Sequence, residues 1–187
     1  MAEALLAITL LVVASSVLGT ILMNSTGSTS ISKDYLIAQN LATEGVEAVK
    51  IIRDTNWLRK PNDKKCWLRL DPDTDCSDIS APNYDTYVPM SYRAEQNDKN
   101  WWRLSGNYNN GLDLKTGSSG NNKNFRLYIN NDGKYVHDQA FTSSPFFREV
   151  RFTEASDTQA TFNVKVQWMD GKKVRTVRRN EAIGNSN

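Results

Sequence analysis

The sequence predicts an α+β protein: one long N-terminal helix followed by an antiparallel β-sheet. Three observations predict it. The chain opens on an uncharged apolar run, Ala4 to Met23, that passes into apolar residues spaced three and four apart up to Ile52. Its last 63 residues, 125–187, alternate apolar and polar positions between strong turn signals. The stretch 58–124 between them is broken by Pro61, Pro72, Pro82 and Pro89.

The apolar run holds 20 residues, about the length that crosses a bilayer core at roughly 1.5 Å per residue. It begins Met1-Ala2-Glu3. An acidic start does not suit a secretory signal, whose first residues are basic. After it comes Asn24–Ser32, in which seven of nine residues are Ser, Thr or Gly. These are poor helix formers, so the stretch is a weak spot in the helix. The period then resumes at Ile31, Tyr35, Ala38, Ala42, Val46, Val49 and Ile52. Lys33, Asp34, Gln39, Glu44, Glu47, Lys50 and Asp54 occupy the opposite face. The reading is one helix to about Trp57, with an apolar part over 1–30 and an amphipathic part over 31–57.

Residues 58–124 read as a variable loop region. Beyond it, the strands expected are Phe125–Ile129, Lys134–His137, Phe146–Thr153, Thr158–Met169 and Lys173–Arg178. Asn131-Asp132-Gly133 and Asp170-Gly171 mark the turns. Phe162, Val164, Val166 and Trp168 alternate with polar residues, so one face of this sheet is expected to be buried, with the amphipathic helix as its cover. For the last hairpin, a loop of Met169-Asp170-Gly171 is expected. It sets Val166 opposite Val174 and turns Val174 inward and Arg175 outward, whereas a two-residue Asp170-Gly171 loop would put Lys173 and Arg175 on the apolar face.

The composition narrows the function. With 23 Lys and Arg against 21 Asp and Glu, the chain lacks the basic excess of a dedicated nucleic-acid binder. One His and two Cys leave little for His-based catalysis or a zinc site. No catalytic motif is present, and the expectation is a protein that is not an enzyme.

Glu3-Ala4-Leu5-Leu6-Ala7-Ile8-Thr9-Leu10-Leu11-Val12, leading into an amphipathic helix and a globular part, resembles the type IV pilin and pseudopilin family. The wording is closest to its minor pilin and type II secretion pseudopilin branch. Family members place the Glu fifth in the mature chain; here it is third. The resemblance implies an extracellular type IV pilus-like filament, a homopolymer of identical subunits. The subunit would be held in the inner membrane before assembly and drawn out by a pilus assembly machinery. It also implies a processed, methylated N-terminus. Part of Gly19–Ser32 is expected to be non-helical in the fibre. Met1, Glu3, Leu5, Leu6, Ile8, Leu10 and Leu11 would form the assembly surface, Glu3 pairing with a neighbour's terminal amine. The other readings are a membrane-anchored extracellular binding module that does not polymerise, a minor pseudopilin of a secretion or DNA-uptake machine, and an anchored hydrolase. Motility and cell adhesion are the roles such a fibre suggests.

Five further features stand out. Cys66 and Cys76 enclose nine residues; in an exported chain they are expected to form a disulfide contributing about 2–3 kcal/mol. Asp71, Asp73, Asp75 and Asp78 have the alternation of a calcium loop. Cys76 stands where such a loop needs Gly, and Pro82 where it needs the bidentate Glu, so a solvated acidic loop is the stronger reading and no cofactor is expected. Trp101 and Trp102, with Tyr84, Tyr87, Tyr92 and Tyr108, read either as a sugar-binding or adhesive surface or as aromatics stapling loops to the core. Lys172, Lys173, Arg175, Arg178 and Arg179 suit either phosphate contacts to DNA or a solvated strand face. His137, beside Asp138, has no catalytic partner in the sequence and is expected on a strand surface.

Overall fold

The computed structural model describes residues 2–74, 83–115 and 122–185, without the side chains of 5 and 19–29. The fold is α+β, with a helix α1 spanning Ala2–Arg59 and an antiparallel sheet. The chain divides into two compact units, Met1–Ile37 and Ala38–Asn187.

Helix α1 has no Pro before its end, and Pro61 stops it by disfavouring the helical conformation of Lys60. In the single chain its backbone is helical through Gly19–Ser32, where a break is expected in the fibre. Poor propensity costs about 0.5–1 kcal/mol per residue; that thins the helix's stability without removing a hydrogen bond, as proline would. Among the described residues no helix is long and apolar enough to cross a membrane. The side chains of 19–23, which complete the apolar run in the sequence, lie outside the described set.

In the larger unit the helix buries Ala38, Leu41, Ala42, Val46, Ala48, Val49 and Ile52. Ile31 and Tyr35, counted on the same face from the sequence, are 39% and 48% exposed. Gly45 lies where the helix meets the sheet. A Cβ there would stand 2.7 Å from Val164 Cγ1 and 3.4 Å from Arg148 Cδ, so only glycine permits this approach. At the helix end Asn56 donates to the carbonyls of Trp67 (3.2 Å) and Arg69 (2.9 Å), folding the following loop back over a core that includes Trp67 and Leu68.

Among the described residues seven strands form the sheet: β1 Ser91–Gln96, β2 Trp102–Tyr108, β3 Arg126–Ile129, β4 Tyr135–Val136, β5 Thr142–Ala155, β6 Gln159–Asp170 and β7 Lys173–Gly184. All pairs are antiparallel. The long β5 is the hub. One of its edges carries β6 and then β7. The other is shared end to end by two hairpins: β1–β2 joins at Ser91↔Arg151 and Tyr92↔Val150, and β3–β4 joins from Arg126↔Phe147 onward.

Alternation assigns the faces. Phe146, Val150 and Phe152 of β5 stand opposite Trp168, Val164 and Phe162 of β6, and Val164 touches the helix. The alternation expected for β6 is therefore observed. On the reverse face, Phe147 packs with Leu112 and Phe125, with Tyr108 and Leu114 at their side. That cover is held by side-chain bonds to the backbone. Asn122 accepts from Asp113 N (3.1 Å) and donates to Asp113 O (2.8 Å), and Gln167 accepts from Leu114 N (3.0 Å).

Two expectations fail in the sheet. The segment 58–124 is not all loop, since it contains β1 and β2. Only Tyr92 and Ala94 of β1 are buried apolar residues, too few to announce a strand. Their hairpin turns on Asn100, at φ 60, and on Asn97, whose side chain accepts from Lys99 N and Trp101 N at 3.0 Å each.

The second failure is the register of the last hairpin. The loop has two residues, Gly171 and Lys172, between paired Asp170 and Lys173. Gly171 takes φ +58 at the first loop position, as a II′ turn requires. Val166 therefore faces Val177 rather than Val174, Val174 faces Met169, and Arg175 faces Trp168 on the helix side. The expected penalty for Arg175 is avoided because Asp170 lies on the same face. It accepts from Arg175 Nε (3.1 Å) and Nη2 (2.9 Å), and the Arg175 side chain is 41% exposed. Further along, Val177 and Ile183 are buried, while Arg179 and Glu181 reach the helix residues Gln39 (3.2 Å) and Lys50 (3.5 Å).

Candidate functional site

In the unit Met1–Ile37 the described large apolar side chains of residues 6–18 are exposed. Leu6 is 64% and Leu10 70% accessible, and Ile8, Leu11, Val12, Val13, Val17 and Leu18 are each more than half exposed. Their directions matter as much as their number. At about 100° per residue, Leu6, Leu10, Val13 and Val17 share an arc of roughly 60°, and Leu11, Leu18, Ile8 and Val12 point to the other sides. A helix that buries itself against one partner needs one stripe. One that exposes large apolar side chains on most of its sides, with only Thr9, Ser15 and Ser16 between them, needs an apolar environment on more than one side, either lipid or several neighbouring helices. Glu3 is exposed at the start of this surface. Met1 and the side chain of Leu5 lie outside the described residues.

The other predicted groups scatter. Cys66 is buried and disulfide-bonded, and Cys76, its expected partner, lies outside the described residues. Asp71 and Asp73 are committed to their own chain. Asp71 accepts from Asp73 N (3.0 Å), and Asp73 meets Lys99 Nζ (2.9 Å) and Arg59 (3.6 Å). The hydrogen bond from Lys99 holds the Asp73 carboxyl below its usual range. Asp75 and Asp78 lie outside the described residues, and among the described residues no group of three or more His, Cys, Asp or Glu is placed to hold a metal. Tyr84 and Tyr92 belong to the core, in edge contacts with Tyr87 and Phe152. Burial raises the pKa of both hydroxyls, and that of Tyr84 donates to Lys65 O. Tyr108 packs on Phe125. Trp101 lies under Arg59, 4.5 Å from the ring centre. In the basic run, Arg175 and Arg179 are bonded as described, while Lys172, Lys173 and Arg178 are exposed. The aromatics therefore act mainly as staples, and the cations do not converge on one site.

Sequence reasoning missed a set of buried charges. Arg148, its side chain 1% exposed, lies on the helix side of β5. It donates through Nη2 to Ala94 O (2.9 Å) and through Nη1 to Leu41 O (3.4 Å), and pairs with Glu44 at 3.1 Å. One side chain thus ties β5 to the helix and to β1. On the reverse face Glu149, fully buried, accepts from Ser91 Oγ (2.5 Å) and pairs with Lys165 at 2.7 Å. Gly111 covers it; a Cβ there would come within 2.5 Å of the carboxylate. The signal lay in the alternation: Phe146, Arg148, Val150 puts a cation on apolar parity, and Glu44 is an acid one residue from the buried Gly45.

His137 is also missed. It is buried rather than on a strand surface, with Nδ1 3.1 Å from Arg126 O. Burial, with Arg148 and Arg93 adding to it, pushes its pKa well below 6.5.

Compared with family models, curated proteins and solved structures, the chain matches none.

Proposed function

We propose that this chain is a structural subunit of a helical filament of the type IV pilus kind, polymerising through the N-terminal part of α1. The observation that carries the proposal is that large apolar side chains of residues 6–18 are exposed on most sides of the helix, with Thr9, Ser15 and Ser16 between them. Each copy requires several apolar neighbours, and copies of the same helix supply them at every position. Before assembly, the lipid core of a membrane meets the same requirement. Glu3 sets the register. A carboxylate taken into an apolar bundle costs several kcal/mol unless a cation meets it. The terminal amine of a neighbouring copy, shifted along the axis, is such a cation. The unit Ala38–Asn187 has its own core.

Glu3→Ala tests the proposal in cells that produce the fibre. The variant is expected to accumulate in the membrane with its sheet unit folded and to yield little or no filament. Filament yield equal to the native chain's would overturn the reading.

A further inference from the structure

Gly111 is held by packing rather than by conformation. It lies beyond the end of β2, and its φ is outside the left-handed region. What excludes a side chain there is the buried Glu149. A Cβ would stand 2.5 Å from Glu149 Oε1 and 2.7 Å from Arg151 Nη1. The residue before it is Asn110, and together they form the one Asn-Gly pair in the sequence. Every other Asn that has a following residue is followed by one with a Cβ.

That pair has a chemistry of its own. The main-chain nitrogen after an Asn, once it gives up its proton, can attack the side-chain carbonyl carbon. A Cβ on the next residue crowds this approach, and glycine has none. The fold leaves the reacting groups free. Asn110 is exposed, and among the described residues neither its carboxamide nor Gly111 makes a hydrogen bond. Other loop carboxamides are tied down: Asn97 accepts from Trp101 N, Asn122 bonds Asp113, Asn130 accepts from Lys134 N, and Asn185 donates to Lys64 O. The two Asp-Gly pairs, Asp132-Gly133 and Asp170-Gly171, present an ionised carboxylate, which is a poorer electrophile than an amide.

We propose that Asn110 is a site of spontaneous deamidation, built into the chain because the packing over Glu149 requires glycine at position 111. The Gly111 nitrogen forms a bond to Asn110 Cγ, the bond from Cγ to the side-chain nitrogen breaks, and that nitrogen leaves as ammonia with the proton that Gly111 gave up. Water then opens the cyclic imide at one of its two carbonyls. One opening gives aspartate. The other gives isoaspartate, in which the main chain runs through the former side chain and is longer by one methylene. Either product lowers the formal charge of +2 by one. The longer chain enters just before Gly111, at its tight approach to Glu149, and one residue before the buried Leu112. Isoaspartate therefore loosens the cover of the reverse face, whereas aspartate leaves the backbone in place. The proposal is independent of polymerisation, since every residue it uses lies in the unit Ala38–Asn187.

The test is incubation of the full chain in detergent micelles at neutral pH and physiological temperature, beside a synthetic peptide of Leu104–Lys115 as the unstructured reference. Tryptic digestion and fragmentation locate each converted Asn and separate isoaspartate from aspartate. Asn110 is expected to convert ahead of every other described Asn. Its rate is expected to lie within about tenfold of the peptide's, since a tenfold slowing takes about 1.4 kcal/mol of added barrier and the fold supplies no contact to raise it. Asn110→Gln is expected to remove this early conversion. The isoaspartate form, isolated by ion exchange, is expected to exchange the amide hydrogens of Asp113 and Leu114, which bond Asn122 and Gln167, faster than Asn110→Asp does. Conversion slower than the peptide's by more than that factor, earlier conversion at another described Asn, or equal amide exchange in the isoaspartate form and Asn110→Asp would overturn the proposal.

Discussion

Replacing Arg148 probes how the two elements of the larger unit are joined. In Arg148→Met the apolar stem is largely retained while three polar contacts go. Ala94 O loses its donor in a buried setting, a cost of about 1–3 kcal/mol. Glu44 loses its partner but is 38% exposed, so it regains water, and this term is about 1 kcal/mol or less. The bond to Leu41 O is long at 3.4 Å and adds little. Against these stands the relief of no longer burying a guanidinium, which offsets part of the loss. The net expectation is a loss of about 2 kcal/mol, or about 4–8 °C in melting temperature for a unit of this size. Arg148→Ala adds a cavity and is expected to cost about 2 kcal/mol more. Glu44→Gln leaves the buried cation unmatched and is expected to destabilise by itself. In a chain that already carries Arg148→Met, the same change is expected to cost almost nothing. Urea unfolding followed by the fluorescence of the buried Trp67 and Trp168 compares these four variants with the native chain. Stability of Arg148→Met equal to or above native, or full additivity of Arg148→Met with Glu44→Gln, would refute the splint role.

Gly45→Ala places a methyl 2.7 Å from Val164 Cγ1 and is expected to lower stability by about 1–3 kcal/mol, although alanine is the better helix former; an unchanged urea midpoint would contradict the close approach. For His137 the folded pKa lies below the ordinary 6.5, so below that pH the unfolded chain binds a proton that the folded chain refuses. Stability present above pH 6.5 is then lost as the pH falls, with a slope of up to about 1.4 kcal/mol per pH unit that His137→Asn is expected to remove. Equal slopes in the two chains between pH 5 and pH 6.5 would show that His137 titrates freely.

Much of the fold was legible because it rests on repeated patterns. The period from Ala38 to Ile52 and the alternation from Phe162 to Trp168 each repeat one choice several times, and the burial follows them. What failed rests on single residues. The last hairpin turned on whether one carboxylate, Asp170, shares a face with Arg175, and a pairing three places along the strand made it so. Strand β1 has only two buried apolar residues and gains its place by pairing with β5, a partner more than 50 residues away. His137 sits just beyond the two-residue β4, too short for alternation to assign a face. The Arg148 anchor depends on Glu44, 104 residues earlier, and no local pattern links them. The apolar run from Ala4 to Met23, by contrast, is written directly in the sequence, because it depends on what is missing from a run of side chains rather than on what they meet.

The measurement that bears most directly on the filament reading is photo-crosslinking from Leu10, replaced by a diazirine amino acid in the otherwise native chain. The crosslink is compared between membranes and purified fibre. In the fibre, the account predicts adducts between copies, mapped to the N-terminal part of α1 of a neighbouring chain and absent when assembly is blocked by Glu3→Ala. Adducts to lipid alone in both samples, with no chain-to-chain product, would contradict it and leave this helix an anchor.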